Sequence, residues 1–162
     1  MKLLCKTFII LIFFSQLSIA QIVKKIEISG NQRIPNETII MFSSVNVDDE
    51  INDNKLNEIL KNLYDSNFFE NVAVSLNNEI LKIIVVENPI IQNINYEGIK
   101  AKKIEDEIKK NLNLKPRSSF NKILLSEDVE KIKNALKSIG YYFSIVDVYV
   151  ENLNDNLINL NY

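Results

Sequence analysis

The sequence predicts an α+β protein made of two tandem copies of one unit, β-α-α-β-β, each packing two helices on one face of a three-stranded sheet. Three observations carry this. Apolar and polar residues alternate where each copy opens and closes, apolar residues recur every three or four positions in between, and the same order of signals appears on both sides of Pro89.

The first copy opens on a strand running from Ile22 to Gly30, with Ile26 and Ile28 on one face and Lys25 and Glu27 on the other. Ile94, Tyr96 and Gly98 repeat Ile26, Ile28 and Gly30 at a constant offset of 68. Short helices follow, from Pro35 in the first copy and near Ala101 in the second, where Ile104, Ile108 and Leu112 share a face. A stronger amphipathic helix comes next, through Leu56, Ile59 and Leu63, then through Val129, Ile132 and Leu136. Ser126, followed by Glu127 and Asp128, is the expected N-cap of the latter, and Asn67 and Gly140 are the expected terminators. Two strands close each copy. Val72, Val74 and Leu76 alternate, Asn77 and Asn78 supply a tight turn, and Ile80 to Val86 returns as a near-continuous apolar run. In the second copy Val146, Val148 and Val150 alternate, a longer turn spans Asn152 to Asn156, and Ile158, Leu160 and Tyr162 alternate to the last residue.

Residues 1–20 read as a secretory leader, with a basic start at Lys2 and Lys6, an apolar run from Phe8 to Phe14, and small residues at Ser18 and Ala20. The expected division is therefore a signal peptide over 1–20, a first domain over 21–88 and a second over 89–162. Without the leader, 17 bases face 21 acids, a formal charge of −4. Two Arg and scattered Lys do not make a phosphate-binding surface, so no nucleic-acid partner is expected. There is no His, and the single Cys, Cys5, lies in the leader, which removes the usual residues for thiol, zinc and general-base chemistry and leaves no disulfide. Asp48, Asp49, Glu50, Asn52 and Asn54 resemble a calcium loop, but the sharp-turn glycine is absent and Ile59 stands at the twelfth position. No catalytic residue, cofactor or metal is expected, and the chain reads as a non-enzyme.

The strand Ile26-Glu27-Ile28-Ser29-Gly30 with its turn Asn31-Gln32-Arg33-Ile34, and above all the string from Leu63 through Tyr64, Asn67, Phe69 and Glu70 to Val72, carry a family resemblance. They resemble the POTRA domains, the polypeptide-transport-associated repeats of outer-membrane assembly factors of the BamA family. Only the glycine of the family's string is replaced, by Asn67, and Leu136 to Val146 repeats the string more loosely with Gly140 and Tyr142. The resemblance implies a mixed sheet in each domain and a place on the periplasmic face of a Gram-negative outer membrane. It also implies nascent β-barrel proteins and accessory lipoproteins as partners. Membrane attachment would come only through a C-terminal barrel that this sequence does not contain, and Tyr162 falls inside an expected strand, so a longer reading frame is the expectation. A two-partner secretion transporter, or an exported scaffold or division protein, are the alternatives.

The resemblance places guest peptides on the first strand of each closing hairpin: Val72, Ala73, Val74, Ser75 and Leu76 in the first copy, and Ile145, Val146, Asp147, Val148, Tyr149 and Val150 in the second. An edge strand offers unpaired N–H and C=O groups to any extended chain, which suits a receptor for many sequences. Taken singly, Val72 and Val74, like Leu56, Ile59 and Leu63, read first as core. Phe68, Phe69, Tyr141 and Tyr142 are the candidate partner contacts, being richer in aromatics than two turns require.

Overall fold

The computed structural model describes residues 21–162; the expected leader over 1–20 lies outside them. In the first unit, β1 (Gln21–Ile22) pairs antiparallel with β3 (Glu50–Ile51), a small ribbon the sequence pattern did not announce. The main sheet holds β2 (Lys25–Ser29), β4 (Phe69–Asn77) and β5 (Ile80–Glu87) in the order β2-β5-β4. The last strand is central, parallel to β2 and antiparallel to β4, so the sheet is mixed. Helices α1 (Asn36–Ser43) and α2 (Asp53–Asp65) accompany it. Pro35 is the residue just before α1, and its carbonyl accepts from Thr38 and Ile39 N–H. The core gathers Ile39 from α1, Ile59 and Leu63 from α2, and Leu81, Ile83 and Val85 from β5, each fully or almost fully buried. Such burial is worth about 1.5–3 kcal/mol per side chain.

The apolar run of β5 is not buried on both sides. Leu81, Ile83 and Val85 face the helices, while Ile84 and Val86 are 43% and 48% exposed on the other face. The hairpin turn sits one residue later than the pattern suggested. Asn78 and Glu79 both have positive φ, as a two-residue type I′ loop requires, and Asn77 pairs with Ile80.

The second unit repeats the plan with β6 (Ile90–Asn95), α3 (Lys102–Asn111), α4 (Lys122–Ser138), β7 (Tyr149–Asn152) and β8 (Leu157–Asn161), in the sheet order β6-β8-β7. Helix α4 starts a turn earlier than expected. Asn121, not Ser126, is the cap, its side chain accepting from Ile123 and Leu124 N–H, and Ser126 lies inside the helix with its hydroxyl donating to Lys122 C=O. The added turn is held by Leu124 and Leu125 packing on Ile91, Phe120 and Leu160. Asp128 is then no dipole counter-charge. It is fully buried, and its carboxylate accepts from Asn113 and Leu114 N–H at 2.7 and 2.8 Å, tying down the loop between the helices. Gly140 and Tyr141 N–H return to Lys137 and Leu136 C=O, a Schellman end for α4, and Asn67 closes α2 in the left-handed region.

The units meet where β5 passes into β6 through Asn88 and Pro89. Glu87 is buried, its Oε1 accepting from the N–H groups of Gln32, Arg33 and Ile34, and its Oε2 lying 3.0 Å from Arg33 Nε. Asn88, also buried, donates to the carbonyls of Phe68 and Asn67 and accepts from Arg33 Nη2. From the second unit, Asn121 Nδ2 reaches Asn67 Oδ1 at 2.7 Å and Asn156 Nδ2 reaches Glu87 C=O. Phe120 N–H donates to Pro89 C=O, and Lys122 pairs with Glu70 at 3.0 Å. Among the described residues no helix is long and apolar enough to cross a membrane.

Candidate peptide-binding edges

Strand β4 lies at the end of its sheet with one flank open. Which of its backbone groups face outward follows from the hairpin. A two-residue loop makes Asn77 and Ile80 exchange hydrogen bonds, and the pairs then alternate, so Ser75 bonds Lys82 while Leu76, Val74 and Val72 sit in the non-bonded pairs. A second observation agrees: Val72 N–H donates to the Tyr64 hydroxyl at 3.2 Å, away from β5. Val72, Val74 and Leu76 therefore turn their side chains into the core and their N–H and C=O groups to the open flank. Ala73 and Ser75 do the reverse, with backbone in the ladder and small exposed side chains. Val72, Val74 and Leu76 are core and edge at once, because the two directions are perpendicular in a strand.

Tyr64 occupies the Val72 amide, so a guest strand competes with its hydroxyl for that rung. Replacing Tyr64 by Phe is expected to tighten an extended peptide on β4 about threefold to tenfold, the worth of one hydrogen bond, as read by NMR titration.

The second edge is shorter than expected. Only Tyr149 and Val150 of the six residues named for it lie in a strand; Ile145, Val146, Asp147 and Val148 have no ladder. The reason is the neighbour, since the β7–β8 register ends at Tyr149 opposite Asn161. The candidate partner aromatics also divide. Phe69 is 3% exposed inside the first core and is corrected to a core residue, because β4 begins there and turns it inward. Phe68 is partly exposed, its ring stacked on Phe42 at 5.4 Å. Tyr141 and Tyr142 stand in solvent at the end of α4 beside Phe143, which is 97% exposed. The period of the sequence does not distinguish Phe68 from Phe69, whereas the strand start does.

Among the described residues no group of three His, Cys, Asp or Glu could hold a metal ion. Asp48 of the calcium-like stretch instead pairs with Lys24 at 2.7 Å, and Asp49 accepts from Asn46 N–H. Burial, then the charges of Asp128 and Glu105, push the Tyr96 phenol up to about 12. Its ring stacks on Tyr162 at 5.4 Å and carries the Lys109 ammonium at 4.6 Å, an arrangement that stabilises rather than reacts.

The POTRA family model, described as a surface antigen variable number repeat, matches residues 21–88 and again residues 89–162. The chain belongs to the POTRA family. The POTRA units are similar to the outer membrane protein assembly factor BamA of Neorickettsia risticii (strain Illinois), at 29% identity over 82% of the chain and 17% of that relative. The same factor of Neisseria meningitidis serogroup B is 33% identical over 68% of the chain and 14% of its own length. The chain thus spans about a sixth of the length of these relatives. Among solved structures, POTRA1-2 of the periplasmic domain of Omp85 from Anabaena superposes with a TM-score of 0.55 at 15% identity, covering 88% of this chain and 93% of that one. The N-terminal domain of Omp85 from Thermosynechococcus elongatus gives 0.60 at 13% identity, over 88% and 62%. These two establish that the POTRA fold is shared.

Proposed function

We propose that the chain is the periplasmic, non-enzymatic POTRA module of an outer-membrane protein assembly factor, taking extended segments of nascent β-barrel proteins as an added strand on β4. The observation that carries this reading is the outward row of N–H and C=O groups at Val72, Val74 and Leu76. Main-chain pairing asks little of the guest's side chains, which fits a client class that shares strands rather than sequence. Exposed Phe68, Tyr141 and Tyr142 are the proposed contacts for accessory lipoproteins. The similarity to assembly factors supports the assembly role.

Proline scanning separates the edge from the fold. Val74→Pro removes an outward donor and no ladder bond, so it should weaken capture of an extended barrel-strand peptide about fivefold to tenfold while the domain stays folded, with a midpoint lowered only by the trimmed Val74 packing. Ser75→Pro removes a ladder donor instead and should cost about 1–3 kcal/mol of stability. Equal peptide affinities for wild type and Val74→Pro, by NMR or calorimetry, would refute strand addition at β4.

A further inference from the structure

One face of the first sheet lies against α1 and α2, and the other is open. Register sets the side chains of the open face in rows. Ser29, Ile84 and Ala73 lie abreast, Glu27, Lys82 and Ser75 form the next row, and Val86 faces Asn71 beyond them. The branched Ile84 on the central strand therefore stands between two small side chains, which is why it is 43% exposed although strands flank it on both sides. Val86 stands as clear of its surroundings at 48%. Lys82 is also exposed, and its cross-strand neighbour Glu27 pairs with Lys25 at 2.8 Å, so the Lys82 ammonium is not taken up by that acid. The core needs neither group, since Leu81, Ile83 and Val85 supply β5's share of it.

A strand added on β4 would see these β5 side chains past β4 itself. Residues directly opposite each other in neighbouring strands point to the same face, so guest residues opposite Ala73 and Ser75 lie on the open one. The guest is then about 10 Å from β5, two strand spacings, with only a methyl or a hydroxymethyl group between. An aromatic ring leaning across Ala73 meets Ile84 leaning the other way, and a carboxylate leaning across Ser75 meets Lys82.

We infer that β4 selects among its guests through β5: the preferred guest runs antiparallel to β4, carries an aromatic residue opposite Ala73 that packs onto Ile84 and Val86, and carries a carboxylate two residues earlier, opposite Ser75, that reaches Lys82. This rests on the strand-addition reading above and adds side-chain selectivity to it. Val72, Val74 and Leu76 hold any extended backbone, whereas Ile84 and Lys82 rank the guests. The intervening guest residues point to the helix side of the sheet, so the preferred guest alternates in polarity, as the strands of membrane barrels do. The second sheet offers no such reader. Its open face carries Asn93 bonded to Asn159 and Asn95 bonded to Asn161, amide to amide, which confines the selectivity to the first unit.

The probe is a short peptide of alternating Thr and Ser with Phe at its centre and Glu two residues before it, titrated into the isotope-labelled full chain. The Phe ring should move the Ile84 methyl resonances upfield, and replacing that Phe by Ala should weaken binding about threefold to tenfold. Replacing the peptide's Glu by Gln should cost about twofold at low salt and nothing at high salt. Ile84→Ser should bring the Phe and Ala peptides within about twofold of each other, and Val74→Pro should weaken both alike. Equal affinities of the two peptides for wild type, with β4 amides shifting in both titrations, would overturn the selectivity and leave strand addition standing. A full Phe preference kept by Ile84→Ser would do the same. If neither peptide shifts β4, strand addition fails and the selectivity falls with it.

Discussion

Replacing Glu87 by Ala is expected to lower stability by about 3–5 kcal/mol, measured as the urea midpoint of the first unit. The carboxylate is buried and answers three backbone N–H groups and the Arg33 guanidinium, so its loss strands three backbone donors and removes the counter-charge of Arg33. Glu87→Gln keeps an acceptor oxygen without the charge and should cost less, about 1.5–3 kcal/mol. The pH dependence has a definite sign. Burial alone would raise the Glu87 pKa, but the bonds from Ile34, Gln32 and Arg33 N–H together with the Arg33 charge outweigh it and hold it below the ordinary 4.5. A depressed folded value means the stabilisation is complete above about 4.5 and is lost as pH falls through the folded pKa. Wild type should therefore lose stability below that pH in a step that the Gln variant lacks.

The second large effect is an asymmetry between two glycines. Gly30→Ala should cost about 3–5 kcal/mol, because a Cβ would meet the Val85 carbonyl at 2.0 Å and φ is +89°, where an L side chain is strained. Gly98→Ala has the same kind of φ, +84°, but open space, and should cost only about 1–2 kcal/mol. Thermal unfolding of the two variants measures the difference, and near-equal losses would contradict it.

The duplicated plan was legible because it rests on local signals repeated at nearly fixed offsets. Ile26 and Ile94, Leu63 and Leu136, and the terminators Asn67 and Gly140 each report their element without help from the rest of the chain. What escaped depends on distant partners. Residues 145–148 alternate like a strand, yet a strand needs a neighbour, and β8 supplies one only to Tyr149. Ser126 and Asn121 are both good caps by type, and the choice fell to where Leu124 and Leu125 could be buried. Asp128 beside Glu127 looks like a solvated acid, and only the inter-helix loop folding over it reveals a buried anchor. The outward backbone of Val72, Val74 and Leu76 depends on turn position: a loop starting at Asn77 would have put these residues in the ladder, and the observed start at Asn78 turns them outward.

Glu87 and Asn88 finish the first sheet and also begin the connection; Asn67 and Asn156 clasp them from both sides, and Asn121 bonds Asn67 in turn. An elbow assembled in this way has no slack segment to absorb a twist. Torque applied to the second sheet is delivered to the Arg33 guanidinium and the head of α1, so a load on one unit reaches the other as through a crank.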